Sequence, residues 1–380
     1  MISTKKLALY CHVPFCAHRC SYCAFYQEPP TSALVERYLS TIEEEFRLLN
    51  ITRPFFTIYV GGGTPGALGA NAMDRLCATL TANNGSLKPA EFSVEFSPCT
   101  VKREKIEILK RHGCGRITIG VQSFSDRIIN LLGRRQTAAQ AIAAYETIAS
   151  CGIGNIGIDL IFGVPTQTLD EWLSDLRCAV SLHPHHISTY NLTFEDGTPL
   201  QRHALSGVTQ KKSPDEEADF YAATWEFLGE NGYGQYEISN FCLPGCESIH
   251  NTNTWKMHDW IGIGPSACSQ FENRRFSNPP SIGLWSETIK RGALAYIGVE
   301  NMDAKTLAED SIIFGLRMNS GIDMASIECE FPSVDFSRLL QLMAYLEEEN
   351  FTKWDGNSVR LTPRGRMVAD AIALQVLEAM

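Results

Sequence analysis

The first residues able to do chemistry are Cys16, Cys20 and Cys23, in a CxxxCxxC spacing within CHVPFCAHRCSYCAFY. Three thiolates on one short loop can hold three irons of a 4Fe-4S cube and leave the fourth iron open to a ligand. A structural zinc ion is the competing occupant, but tetrahedral zinc wants four ligands, usually from two separated pairs. Cys242 and Cys246, or an imidazole from His12 or His18, are the residues that would complete it. The spacing points to an iron–sulfur centre with an open position. Seven isolated cysteines, Cys77, Cys99, Cys114, Cys151, Cys178, Cys268 and Cys329, read as small core-filling side chains.

Downstream, Gly61, Gly62 and Gly63 run into Thr64 and Pro65. Three glycines in a row let the backbone approach a ligand and offer it amide and carbonyl groups, although a triple glycine also serves as a plain turn. Glu95 ends an apolar run, Gln122 stands in GVQSF and Asp159 in GIDLIFG. An acid inside an apolar strand is costly to bury alone, so Asp159 requires a hydrogen-bonded or charged neighbour, for which Arg134 is the candidate.

Such residues need a scaffold that gathers strand ends. Strand-like runs at 7–13, 56–60, 92–96, 116–120, 157–162 and 186–192 alternate with helical periodicity near 33–49, 70–83, 101–112, 138–151 and 168–182. That alternation implies parallel strands with right-handed crossovers, an α/β fold of the partial (β/α)6 barrel type with its chemistry at the C-terminal strand ends. The conspicuous residues fall at those ends. A further helix follows Pro214, then a stretch rich in Gly, Asn and aromatics over 233–276. Within it, DWIGIGPSACSQF at 259–271 reads as tight backbone packing or a structural turn with no catalytic role. Beyond 304 the pattern is helical, with 336–349 followed by a hairpin over 351–362 turning at Asp355, Gly356 and Asn357, and a last helix after Pro363. The predicted domains are 1–235 for the barrel, 236–300 for a connecting region carrying HNTNTW, and 301–380 for a small, mostly helical, winged-helix-like domain.

With 380 residues, 44% of them apolar and 20% charged, the chain can bury a sizeable core. It holds no apolar run of about 18 residues, so no transmembrane segment is expected. Lys5 and Lys6 precede a short apolar stretch without a small-residue cleavage site, which argues against a secretory signal. A formal charge of −10 disfavours nucleic acid and anionic lipid, although Arg134 and Arg135 form a possible basic patch. Glu347, Glu348 and Glu349 weigh against reading the winged helix as a DNA binder. Thirteen cysteines, an odd number, point to a reducing, cytoplasmic setting in which thiols are ligands or core residues.

The segment YCHVPFCAHRCSYCAF resembles the cluster motif of the radical SAM superfamily, specifically its oxygen-independent coproporphyrinogen III oxidase-like family, and the likeness runs in order over roughly residues 7–375. The resemblance implies a 4Fe-4S cluster on Cys16, Cys20 and Cys23 whose open iron chelates S-adenosylmethionine (SAM). It implies Tyr10 and Tyr22 beside the cluster, a SAM-contacting motif at Gly61, Gly62, Gly63 and Thr64, and SAM contacts from Glu95, Gln122, Arg134 and Asp159. In the family, one-electron reduction cleaves SAM to a 5′-deoxyadenosyl radical, with electrons from a donor such as flavodoxin or ferredoxin.

Two branches of the family differ at few positions. The oxidases carry a further cysteine two residues past the third ligand and a long N-terminal arm; here that position is Phe25, and nine residues precede Tyr10. The heme chaperone branch, whose members bind heme and hand it to membrane respiratory enzymes, shows an HNxxYW signature. Residues 250–255 read HNTNTW, with Thr254 in place of the tyrosine. The resemblance thus implies heme ligation by His250, for which a neutral imidazole is suited, with Trp255 against the porphyrin, although a histidine in a polar loop also serves as a surface or hydrogen-bonding residue. The expected function is that of a heme chaperone, cytoplasmic with peripheral contact to a membrane acceptor. The alternative is an oxidase converting two propionates of coproporphyrinogen III to vinyl groups; a third reading is an enzyme that opens or methylates heme. Whether the chain is an enzyme stays open, and no catalytic residue is assigned.

Overall fold

Period-two alternation builds the main sheet. In β1 (Leu7–Val13), Tyr10 and His12 face one side and Leu9, Cys11 and Val13 the other. The polar side continues with Thr57 and Tyr59 of β2 (Thr57–Gly62), then Glu91, Ser93 and Glu95 of β3 (Glu91–Phe96). Arg116 and Thr118 of β4 (Arg116–Gln122), Asp159 of β5 (Asn155–Phe162), and His186, Ser188 and Tyr190 of β6 (His186–Asn191) complete it. The intervening residues, among them Ile58, Val60, Phe92, Val94, Ile117, Ile119, Ile158, Leu160 and Ile187, join one apolar core. The computed structural model describes residues 5–294 and 296–380, so the first four residues of the predicted barrel domain and Ala295 lie outside the described residues.

The crossovers between these strands are helical. α1 (Ser32–Leu49), α2 (Ala70–Thr81) and α3 (Arg103–Arg111) cover the apolar side with Leu39, Ile42, Met73, Leu76, Ile106 and Leu109. The short α4 (Asp126–Leu131) precedes α5 (Ala138–Ser150), and α6 (Leu169–Ser181) adds Trp172 and Leu176 to the core. Thr137 and Thr168 open α5 and α6 with reciprocal capping boxes, which is why both helices begin where they do. β1 to β6 pair in parallel and in sequence order, with registers such as Tyr10↔Tyr59, Glu95↔Thr118 and Asp159↔Ser188. The six predicted strands and their crossovers are present.

The sheet is larger than six strands. α7 (Pro199–Leu205) and α8 (Pro214–Glu230) lead to β7 (Gly234–Gln235) and β8 (Asn240–Cys242), the latter antiparallel to β6. After the seven-residue α9 (Ile249–Trp255), β9 (Asp259–Ile263) runs parallel to β1 on the opposite flank. β10 (Cys268–Phe271) and β11 (Arg274–Ser277) follow, then α10 (Ile282–Lys290) and the edge strand β12 (Ile297–Asn301). The order β12-β11-β10-β9-β1-β2-β3-β4-β5-β6-β8-β7 leaves β12 and β7 unjoined, a partial barrel. Residues 259–271 are two strands joined by a turn at 264–267, where the Ala267 amide donates to the Gly264 carbonyl at 3.3 Å, and much of the predicted connecting region belongs to the main sheet. Their glycines serve close packing: a Cβ at Gly262 would lie 2.3 Å from the Cys268 carbonyl oxygen.

The C-terminal unit runs α11 (Ala304–Arg317), β13 (Ile322–Asp323), α12 (Met324–Glu330), α13 (Ser337–Glu348), the hairpin of β14 (Thr352–Asp355) and β15 (Ser358–Leu361), then α14 (Pro363–Met367) and α15 (Ala369–Ala379). Its sheet order, β13-β15-β14, and its own apolar core give the expected winged-helix-like arrangement, with β13 and α12 added to the sequence reading. Among the isolated cysteines, Cys77, Cys114 and Cys151 are buried as expected; Cys99, Cys268 and Cys329 are exposed and Cys178 half-buried, so the core-filling reading fails for these four. No helix among the described residues is long and apolar enough to cross a membrane.

Candidate SAM and cluster site

The polar side of the sheet is closed at one end and open at the other. At the strand starts, α9 lies against β1 and β2. Glu91 accepts from the amides of Ile249 and His250, both at 3.1 Å, and so supplies a negative charge at the helix N-terminus. Arg116 stands 3.8 Å from the same carboxylate. Thr57 Oγ1 meets His250 Nδ1 at 2.9 Å, and the His250 ring stacks on Tyr59 with centroids 4.9 Å apart. His250 is thus not in a polar loop but on a short helix, 7% exposed, with burial pushing its pKa down to about 3. Beneath this plug Thr57, Ser93, Arg116, Thr118, His186 and Ser188 are buried. Toward the C-terminal strand ends Tyr10, Tyr59, Glu95, Gln122 and Asp159 are half-buried and Tyr190 is exposed. The accessible polar surface lies at the C-terminal ends, where a parallel α/β fold places its ligands.

The cysteine loop leaves β1 at that same end. The amide of Gly63 donates to the carbonyl of Val13 at 2.9 Å, tying the glycine run to the start of the loop. Cys16 Sγ lies 3.1 Å from Thr64 Oγ1, and Gln27 Nε2 lies 3.5 Å from Cys23 Sγ. Arg134 donates to the Tyr22 hydroxyl at 3.1 Å, to the Gly120 carbonyl at 2.8 Å and to Gln136 Oε1 at 2.9 Å. Burial pushes all three thiols up, and the Arg134 guanidinium pulls Cys16 and Cys20 back down. Arg134, read with Arg135 as a surface patch, is turned into the site, whereas Arg135 is exposed.

The extra ligands of the zinc alternative are engaged or placed elsewhere, His18 by its Nε2 on the Gly133 carbonyl at 3.0 Å. His12 is engaged at both ring nitrogens, by the Tyr10 hydroxyl at 3.1 Å and the Tyr26 carbonyl at 3.2 Å. Cys242 pairs with His186 at the start of β6, the opposite end of the parallel strands from the loop, and Cys246 lies beside Arg116 there. Among the described residues no three Cys, His, Asp or Glu side chains close around a common point. The donor set is nonetheless three half-buried thiols on one loop with no carboxylate among them, which suits an iron–sulfur cluster and not a hard cation.

The remaining predicted residues converge beside the loop. Gly62 takes φ +106°, and a Cβ there would lie 2.5 Å from His12 Nδ1; one at Gly61 would lie 2.9 Å from Glu95 Oε2. The glycines are thus required first by the packing of the protein on itself. Glu95 accepts from the Tyr59 hydroxyl at 2.5 Å; burial, with Asp159 nearby, raises its pKa to about 7 against the pull of that bond. Asp159 is raised to about 6 by burial, offset by its hydrogen bond to Ser188 and by the charges of Arg116 and Arg134. Ser188, not Arg134, is therefore its contact. Gln122 takes φ +71° at a register shift between β4 and β5, and its Oε1 is buried without a hydrogen-bond partner, as is Asn191 Oδ1 at the end of β6. Orphaned polar atoms on an open polar surface fit a polar ligand such as SAM. The sequence reading missed Tyr59 and Asn191. Tyr59 was detectable as the same-face neighbour of Gly61, two residues away.

Comparison with known proteins identifies the family and supports the fold. Residues 10–179 match the radical SAM superfamily and residues 302–368 the HemN C-terminal domain. A protein of Lactococcus lactis named heme chaperone HemW is 32% identical over 95% of this chain and 94% of its own length. The heme chaperone HemW of Escherichia coli is 35% identical over 70% of this chain and 71% of its own length. Among solved structures, the radical SAM enzyme coproporphyrinogen III oxidase (HemN) of Escherichia coli superposes with a TM-score of 0.85 at 23% identity, covering 98% of this chain and 90% of that one.

Proposed function

The chain belongs to the radical SAM superfamily and, within it, to the family of the curated heme chaperones, and from that membership we propose that it binds heme and passes it to acceptor proteins. The observation that carries this reading is the 32% identity to the Lactococcus heme chaperone sustained over 95% of the chain. The likeness to the oxidase, at 23% identity, speaks for the fold alone. Phe25, 63% exposed two residues past Cys23, stands where the resemblance gives the oxidases a further cysteine.

Cys16, Cys20 and Cys23 would hold a 4Fe-4S cluster, and Gly61, Gly62, Gly63, Thr64, Glu95, Gln122, Arg134 and Asp159, with Tyr10 and Tyr22 alongside, would contact SAM. When bound, the cluster supplies one electron at a time from a donor such as flavodoxin or ferredoxin. Arg134 fixes Tyr22 and places a positive charge beside Cys16 and Cys20, which favours their thiolate forms. Burial raises the carboxyls of Glu95 and Asp159 to about 7 and about 6, the kind of perturbation that marks groups at a ligand site. His250 is neutral at physiological pH, the form an iron ligand needs, but its ring must turn out from under β2 to meet a porphyrin. The acceptor is read as a respiratory protein at a membrane that a cytoplasmic donor reaches peripherally.

The test is anaerobic reconstitution followed by heme titration. Cys16→Ala, Cys20→Ala and Cys23→Ala are each expected to abolish the brown cluster absorption, and His250→Ala to weaken heme binding while leaving that absorption intact. With SAM, a reductant, coproporphyrinogen III and a cell extract that supplies the electron acceptor for the substrate radical, no vinyl product is expected. Vinyl product would establish the oxidase instead.

A further inference from the structure

β2 presents Thr57, Tyr59 and Gly61 on one face, a span of about 13 Å at about 3.3 Å per residue. At its lower end Thr57 Oγ1 holds His250 Nδ1 at 2.9 Å. In the middle, Tyr59 packs against the His250 ring with the two planes 28° apart, while Tyr10 stacks on Tyr59 from β1 at 6.3 Å. The same tyrosine donates to Glu95 at 2.5 Å, and Glu95 packs on Gly61, the first residue of the glycine run. Burial keeps the Tyr59 phenol protonated, so it is the donor and Glu95 the acceptor.

We infer that Tyr59 is a positioning residue that couples the seat of His250 to the SAM site, so that heme taken by His250 and SAM held at Glu95 oppose each other. This rests on the reading above, in which His250 ligates heme and Glu95 contacts SAM. At 7% exposure the imidazole cannot reach a porphyrin iron from its seat. Once it leaves, Tyr59 loses the ring stacked on it, and Glu95 loses a donor held in place. Conversely, SAM bound beside a fixed Glu95 holds Tyr59, and with it His250, where they are. Linkage makes the effect reciprocal: SAM favours heme release, and heme loading weakens SAM binding. That sign suits a protein whose task is to let heme go.

The experiment is a double-mutant cycle on the reconstituted full chain, with SAM affinity read by calorimetry and the cluster absorption confirming that the site is intact. Without heme, His250→Ala and Tyr59→Phe are each expected to weaken SAM binding by about fivefold or more, and the double variant by no more than the larger single effect. Effects that multiply overturn the link. Should His250→Ala fail to fold, His250→Gln keeps the bulk and removes the stacked ring. With heme loaded, SAM binding to the wild type is expected to weaken by about fivefold or more, and that of Tyr59→Phe, which keeps the ring but not the bond to Glu95, by less than about twofold. Equal weakening in both overturns the role of Tyr59. A chain that takes no heme removes the functional reading above, and the heme-free cycle still decides the link on its own.

Discussion

Gly62 carries two demands at once. Its φ of +106° is strained for any residue with a side chain, and an added Cβ would overlap the His12 ring at 2.5 Å. The strain alone is worth about 1–2 kcal/mol, and the overlap adds to it. Gly62→Ala is therefore expected to lower the melting temperature by several degrees and to weaken SAM binding, because His12 and the glycine run must part. In a His12→Ala background the overlap is gone, so the same substitution should cost only the backbone strain. An equal loss of melting temperature in both backgrounds would show that His12 is not what Gly62 accommodates. The distinction matters for motif reading: the triple glycine is a SAM signature by resemblance, yet the structure gives Gly61 and Gly62 a reason that precedes any ligand.

At seven residues α9 is too short to hold its shape alone, and its order comes from what β2 and β3 lend it. Glu91 accepts from its first two amides and sits near Arg116, which is 2% exposed. Glu91→Gln removes the charge at the helix start and leaves a buried guanidinium without its counter-ion, a loss expected to be about 2–3 kcal/mol. Amide exchange over 250–255 should quicken more than elsewhere in the barrel; unchanged exchange there would show that the cap does not hold the helix. The same element marks the limit of what the sequence discloses. Six strands, their crossovers and the cysteine loop were legible because their signals are local: β-branched runs, period-two alternation, a ligand spacing. The burial of His250 was not, because the carboxylate that fixes its helix lies 159 residues away in the chain. β9 escaped for a different reason. Gly264 and Pro265 do make the turn legible there beside tight packing, but only the strand beside it, β1, makes Asp259–Ile263 a sheet member.

Among the described residues there are three apolar clusters: one under the large sheet, a small one around Ile128, Leu132 and Phe194, and one in the winged-helix-like unit. Polar contacts tie the two units together: Arg275 to Asp310 at 2.7 Å, the Asn319 amide to the Tyr236 carbonyl at 2.9 Å, and Arg317 to Glu237 at 3.6 Å. The last has a pH signature. Glu237 is 1% exposed; burial raises its pKa, and Arg317 pulls it back down. A carboxyl whose folded pKa is raised keeps its proton where the unfolded chain has released it, so its contribution to stability falls as pH rises above the ordinary carboxylate range. Arg317→Ala removes the compensating charge and pushes Glu237 further up. Its cost should be smaller at pH 5 than at pH 8, where it reaches about 1–3 kcal/mol given that Arg317 itself is partly exposed. Adding Glu237→Gln removes the charge and should flatten that pH dependence. Urea unfolding midpoints of the wild type and these variants at the two pH values decide the matter. If Arg317→Ala costs the same at both, the joint between barrel and winged helix is held by its neutral contacts and not by this ion pair.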